Sequence, residues 1–77
     1  MEKTTEAIVQ GIRQGTHGRY VVTTSQEVEG SITFALDSTV WKEDDDPEQG
    51  ITVILTDIRR KRSGWRAMSA RYLRPGD

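Results

Sequence analysis

Apolar and polar residues alternate along much of this chain, which is the period-two pattern of β-strands rather than the 3.6-residue pattern of a helix. The alternation is clearest where Ile51, Val53 and Leu55 are spaced two apart. β-Branched residues and flanking glycines extend the same interpretation to the earlier segments. The sequence therefore predicts five strands, at residues 6–13, 19–25, 31–36, 51–58 and 65–73.

The connections between these segments carry their own signals. Gly11 interrupts the first predicted strand, and a glycine in that position indicates a bulge or a sharp bend. Two glycines predict a tight turn at residues 14–18, and a polar turn is expected at residues 26–30. Asp37 is a residue that caps a turn or opens a single helical turn.

Five short strands with a long break after the third are typical of a small barrel, because closure removes exposed strand edges. The five-stranded barrel of this kind is the OB-fold, whose second and third strands offer a binding face. We therefore expect an all-β, five-stranded antiparallel OB-fold barrel over residues 6–73. Residues 1–5 are expected to be flexible and residues 74–77 to form a tail.

Charge is divided unevenly along the chain. Residues 1–50 carry four basic and ten acidic side chains, whereas residues 51–77 carry seven basic and two acidic ones. Residues 42–49 predict a solvated acidic loop, and residues 59–64 predict a basic hairpin turn. Such a turn favours a polyanion as the partner. The alternative is that the two parts neutralise each other across the fold.

Composition narrows the class of protein. The chain has 77 residues and no cysteine, which indicates one small domain in a reducing, cytoplasmic compartment. No apolar run approaches the ~20 residues of a membrane span, so no membrane partner is expected. No known catalytic motif is present, so we expect neither an enzyme nor a small-molecule substrate nor a cofactor. The acidic segment fails the spacing of a calcium loop, since Gln49 and Leu55 stand where glycine and glutamate are needed.

Aromatic and basic side chains are the candidate binding residues. Tyr20 and Phe34 lie on the second and third predicted strands, where a ring either stacks on a base or fills the core. Trp65 and Arg66 follow the basic turn, where a tryptophan either stacks on a base beside phosphate-binding arginines or caps the barrel. Trp41 has the same two interpretations, and His17 is expected to be a surface turn residue.

Two stretches of the chain match a known pattern. Residues 7–21 align without a gap to G-x-V-x-W-F-N-x-x-x-G-F-G-F-I, and residues 30–37 echo V-F-V-H-F-S-A-I. Residues 50–55 and 64–67 are similar to G-x-x-V-x-F and G-P-Q-A. Over roughly residues 7–73 the chain thus resembles the bacterial cold-shock domain, an OB-fold that binds single-stranded RNA and DNA. Initiation factor 1 and ribosomal RNA-binding repeats share this barrel, and the chain resembles their sequence patterns about as loosely.

The departures from the cold-shock pattern reduce its stacking surface. Four aromatic or histidine positions of the family are Gly11, Gly18, Ser31 and Thr33 in this chain. We expect a non-catalytic module that binds single-stranded RNA or DNA, the alternative being a protein-interaction module on the same barrel. The candidate contacts are Arg19, Tyr20, Thr33, Phe34, Trp41, Arg59, Arg60, Lys61, Arg62, Trp65 and Arg66.

Overall fold

A computed structural model describes residues 4–62 and 64–76 of the chain. It is all-β, with five strands: β1 (Thr4–Gly15), β2 (Gly18–Thr24), β3 (Ser31–Ala35), β4 (Thr52–Lys61) and β5 (Gly64–Tyr72). In this described part of the chain, no helix is long and apolar enough to cross a membrane.

The strands pair in a closed ring in the order β1-β2-β3-β5-β4. β1 is hydrogen-bonded to β2 on one side and to β4 on the other. Three consecutive strands followed by a fourth that returns beside the first form a Greek key. The ring is completed by β5, which pairs with both β4 and β3.

The sheet is mixed, which corrects the expectation of a purely antiparallel barrel. β3 and β5 run parallel through the pairs Ile32–Trp65 and Thr33–Arg66, while the other four strand pairs are antiparallel. The reason is topological, because strand directions cannot alternate all the way around a ring with an odd number of members. At least one parallel pair is therefore unavoidable in a closed ring of five.

The start of β1 and the end of β4 differ from the sequence prediction. β1 begins at Thr4, where the sequence predicted residue 6, because Thr4 and Thr5 pair with β4 and Thr5 is buried. The strand therefore takes in the last two residues of the segment 1–5 that was expected to be flexible. Residues 1–3 of that segment lie outside the described residues. β4 continues to Lys61, which pairs with Gly64, so most of the basic segment is strand rather than turn.

The predicted irregularity in the first strand is confirmed. The register of β1 on β2 shifts between Val9 and Gly11, so that Gln10 is the extra residue of a β-bulge. Before this point β1 pairs mainly with β4, and after it only with β2. The bend at the bulge therefore lets one strand contribute to two sides of a narrow barrel.

The barrel interior is filled by the alternate apolar positions of the strands. Phe34 is the largest fully buried side chain, and it lies among Ile32, Leu55, Val9 and Val21. Thr23 is also fully buried, and its Oγ1 donates a hydrogen bond of 2.7 Å to the Ile32 carbonyl. Burial of each large apolar side chain stabilises the fold by roughly 1.5–3 kcal/mol.

A short turn after β3 places a second ring beneath this core. Asp37 Oδ1 accepts hydrogen bonds from Thr39 N at 2.9 Å and Val40 N at 3.2 Å, which confirms the predicted cap. The hydrogen bond from the Thr39 hydroxyl is the main reason that the pKa of Asp37 is lowered. The turn brings the Trp41 ring into a stacked position on Phe34, with 5.7 Å between the two ring centroids. The Tyr72 ring meets the Trp41 ring edge-on with 4.9 Å between their centroids, so that these two rings close this end of the barrel beneath Phe34.

Replacing Phe34 with leucine should destabilise the fold, since it leaves space around a fully buried position. We expect a loss of about 1–2 kcal/mol in the free energy of unfolding, measured by urea denaturation. The matched variant Tyr20→Leu, at a half-buried position, should lose less than about 1 kcal/mol. Equal losses in the two variants would contradict the inward position of Phe34.

Candidate nucleic-acid interface

One row of residues crosses all five strands on the outer face of the barrel. Residues directly opposite each other in a sheet share a face. The strand registers place Gly11, Val22, Thr33, Arg66 and Arg59 in such a row. Arg66 and Arg59 are exposed, and Thr33 and Val22 are half-buried, as expected of side chains that point away from the core.

Tyr20 provides an aromatic ring on the same face. It lies opposite Arg13 on β1 and Ala35 on β3. Its ring lies so close to Gly15 that a Cβ built there would approach two ring carbons at 3.1 Å. Gly15 therefore leaves room for the ring to lie against the backbone of β1. Tyr20 is half-buried in this position and keeps an accessible surface for a ligand.

The arginines of β4 and β5 face each other, and a carboxylate moderates their repulsion. Arg59 lies directly opposite Arg66, and like charges in this position destabilise a sheet. Asp57 holds the Arg59 guanidinium by two hydrogen bonds of 3.1 and 2.9 Å. These bonds raise the pKa of Arg59. Arg66 has no carboxylate within ion-pair distance among the described residues, so it is the cation of this row available to a ligand.

Lys61 and Arg62 continue the cationic surface toward the hairpin turn. Lys61 is two residues beyond Arg59, so it lies on the same face of β4. Arg62 is exposed in the turn. Tyr20, Thr33, Arg59, Lys61 and Arg66 are therefore the predicted site residues that the structure gathers on one face, and Arg62 lies at its edge.

Trp65 and Arg60 belong to a different surface. They continue the inner row formed by Val9, Thr23 and Ile32. The Arg60 guanidinium carbon lies 5.3 Å from the centroid of the Trp65 ring, within the range of a cation–π contact. Trp65 also packs on the hydrophobic core. It therefore covers the mouth of the barrel, on a different face from Arg66.

Two further candidate rings are in the interior. Phe34 is fully buried and Trp41 is 5% exposed. The Trp41 indole Nε1 donates a hydrogen bond of 2.6 Å to the Asp45 carbonyl, which fixes the ring under the loop. Neither ring can stack on a base in this structure, because a narrow barrel with few aromatic residues uses both of them to fill its core and close one end.

The acidic loop is anchored by polar contacts, and Arg19 takes part in them. Arg19 Nη1 donates a hydrogen bond of 2.9 Å to Asp46 Oδ2, so its guanidinium is paired at the end of the barrel away from the basic turn. Tyr72 Oη donates to Asp45 Oδ1 at 2.8 Å, and Tyr72 N donates to Glu43 Oε2 at 3.1 Å. Burial, together with the hydrogen bond to Asp45, raises the pKa of Tyr72 to about 12.

The sequence-based set did not include the outer-face residues that surround Tyr20 and Thr33. Arg13, Gly15 and Val22 all lie beside Tyr20 or Thr33. Arg13 could have been found by counting in steps of two from the predicted bulge. The contact between Gly15 and Tyr20 joins two strands and has no signal in the local sequence. His17 is exposed in the turn between β1 and β2, as expected.

Comparison with known proteins adds no assignment to this geometry. No family model matches the chain, and searches of curated proteins and of solved structures also return no match. Among residues 4–62 and 64–76, no group of three or more histidine, cysteine or acidic side chains is arranged to hold a metal ion. The function must therefore be argued from the site itself.

The raised pKa of Tyr72 predicts a loss of stability at alkaline pH. The neutral phenol is favoured in the fold, so its contribution is complete below the unfolded pKa of 10.0 and is lost as pH rises to about 12. We expect the free energy of unfolding, measured by urea denaturation between pH 9 and 12, to fall less steeply in Tyr72→Phe. The control Tyr20→Phe leaves the hydrogen bond between Tyr72 and Asp45 in place, so its free energy of unfolding should keep the steeper fall. Identical profiles for Tyr72→Phe and the unchanged chain would contradict this assignment.

Proposed function

We propose that this chain is a non-catalytic module that binds single-stranded RNA or DNA on the outer face of β2, β3 and β5. The barrel on which this face is built is, in this proposal, of the OB type. The Greek-key order of β1 to β4 and the five-stranded closed ring support that classification. Strands 2 and 3 of an OB-fold offer the binding face, and Tyr20 and Thr33 occupy that position in this chain.

The observation that carries the proposal is the combination of one accessible ring and cations on both sides of it. Arg13 lies directly opposite Tyr20, and Arg66 lies across β3 from Val22, the next residue of β2 on the same face as Tyr20. Around the outer surface, through β2 and β3, three strand spacings of roughly 14 Å in total separate β1 from β5, so we expect the two arginines to contact different phosphates of one bound strand. In this arrangement the cations neutralise the backbone while Tyr20 stacks on an unpaired base.

In the proposed binding, we expect phosphate neutralisation by the cations to contribute more to affinity than stacking on Tyr20 does. One stacked base contributes about 1–3 kcal/mol, and a single ring gives little discrimination between bases. Each neutralised phosphate adds about −0.7 to the slope of log Kobs against log salt for a single strand. Arg13, Lys61, Arg62 and Arg66 together would give a slope near −3. The expected binding is therefore modest, tolerant of sequence and strongly dependent on salt.

The acidic loop supports one orientation of this binding. Its carboxylates Glu43, Asp45 and Asp46 are held at the end of the barrel opposite the basic turn. They repel a polyanion from that end of the barrel. A strand bound on the outer face thus avoids the most acidic part of the molecule.

Removing two cations from the outer face should reduce the salt dependence of binding. For Lys61→Gln combined with Arg66→Gln, we expect the salt slope to become less steep by about 1.4, corresponding to two lost phosphate contacts. Fluorescence anisotropy of a labelled oligouridylate at several salt concentrations measures this. The control pair Lys42→Gln and Arg74→Gln removes equal charge beside the acidic loop and should change the slope much less. Equal changes in the two pairs would refute the proposed face.

Replacing Tyr20 with leucine should remove stacking while keeping an apolar side chain. We expect oligouridylate to bind about 5- to 150-fold more weakly, since one stacked base is worth ~1–3 kcal/mol. The slope against salt should stay unchanged, because no phosphate contact is lost. Unchanged affinity in the Tyr20→Leu variant would exclude Tyr20 as the stacking ring.

A further inference from the structure

A groove at the mouth of the barrel is separate from the outer face. It has a volume of about 880 Å³ and lies between the β2–β3 loop and the β4–β5 hairpin. Its lining consists of Thr5, Glu27, Val28, Glu29, Asp57, Ile58, Arg60 and Trp65. The cation–π pair of Arg60 and Trp65 forms one of its walls.

The charge of this groove is opposite to that of the outer face. It contains three carboxylates, from Glu27, Glu29 and Asp57, and one basic side chain, Arg60. Asp57 is paired with Arg59, whereas Glu27 and Glu29 have no ion pair among the described residues. A polyanion is repelled by such a surface, and a cation is attracted to it.

The apolar part of the groove fits the stem of a long basic side chain. Val28, Ile58 and Trp65 are partly buried against the core and present the rest of their surface to the groove. Arginine combines an apolar stem with a planar cation that stacks on aromatic rings. The chain's own Arg60 already places a guanidinium on Trp65, which shows that this ring can receive one.

A second groove extends the acidic surface around β1. It has a volume of about 670 Å³ and shares Glu27 with the first groove. Glu6 and Ile8 also line it, and none of its described lining residues is basic. Ile8 is 47% exposed, which makes it one of two large exposed apolar side chains in the described residues. The two grooves together form an acidic strip with apolar contacts at both ends.

We infer that this acidic strip is a docking site for an arginine-rich segment of another protein. Charge complementarity selects the partner, and the length of two adjoining grooves fits an extended segment rather than a single small cation. The strip uses Glu27, Glu29, Glu6 and Ile8, none of which belongs to the nucleic-acid face. The inference therefore does not depend on the proposed function.

The test uses an acetylated, fluorescein-labelled hexa-arginine peptide and the full chain. The variant Glu27→Gln with Glu29→Gln should bind the peptide about five- to tenfold more weakly, as expected for two partly exposed charge pairs. The control Asp44→Asn with Glu48→Gln makes the same change of charge in the acidic loop. It should weaken binding less than twofold.

A gain in affinity provides a second readout, because a variant that failed to fold could not bind the peptide more tightly. Arg60→Gln removes the guanidinium that competes for Trp65, so hexa-arginine should bind at least threefold more tightly. Equal losses in the two acidic double variants would overturn the inference, as would an unchanged affinity in Arg60→Gln. Tighter binding of oligouridylate by Glu27→Gln with Glu29→Gln, with unchanged peptide binding, would assign the groove to nucleic acid and also overturn it.

Discussion

The closed ring of five strands must be filled by very few apolar side chains, and this requirement governs the rest of the molecule. Phe34 occupies the centre, and Trp41 and Tyr72 close one end as a contiguous set of rings. A chain of 77 residues has little other apolar volume to use. Four of its five aromatic side chains consequently pack on the core or close one of its ends. Tyr20 is the one that remains on the outer sheet face.

This use of the aromatic residues shifts the proposed binding from stacking to electrostatics. An outer face with one ring and several cations is suited to a charged polymer and gives little base discrimination. The same fold keeps opposite charges apart, because the acidic loop is tied to Arg19, Tyr72 and Arg74 at the far end of the barrel. A net charge of −1 therefore conceals distinct acidic and basic surfaces.

The strands and the bulge could be predicted from sequence because their signals are local. Alternation marked β4, and β-branched residues with flanking glycines marked the earlier strands. Gly11 marked the irregularity that the register of β1 confirms. The face to which each side chain points was harder to predict. Tyr20, Val21 and Val22, for example, are consecutive apolar residues that suit either face of a strand. Asp57, with a φ of 55°, interrupts the alternation in β4 without a glycine to indicate it. The anchored acidic loop depends on contacts with residues far along the chain, which no local pattern reveals.

The central claim is that the outer face of β2, β3 and β5 contacts a single strand of nucleic acid. Titration of the ¹⁵N-labelled chain with unlabelled oligouridylate, followed by amide NMR, tests this directly. We expect shifts that concentrate on Arg13, Tyr20, Val22, Thr33 and Arg66. Shifts confined to the loop of residues 42–49, or to the Glu27–Glu29 side of the barrel mouth, would contradict it.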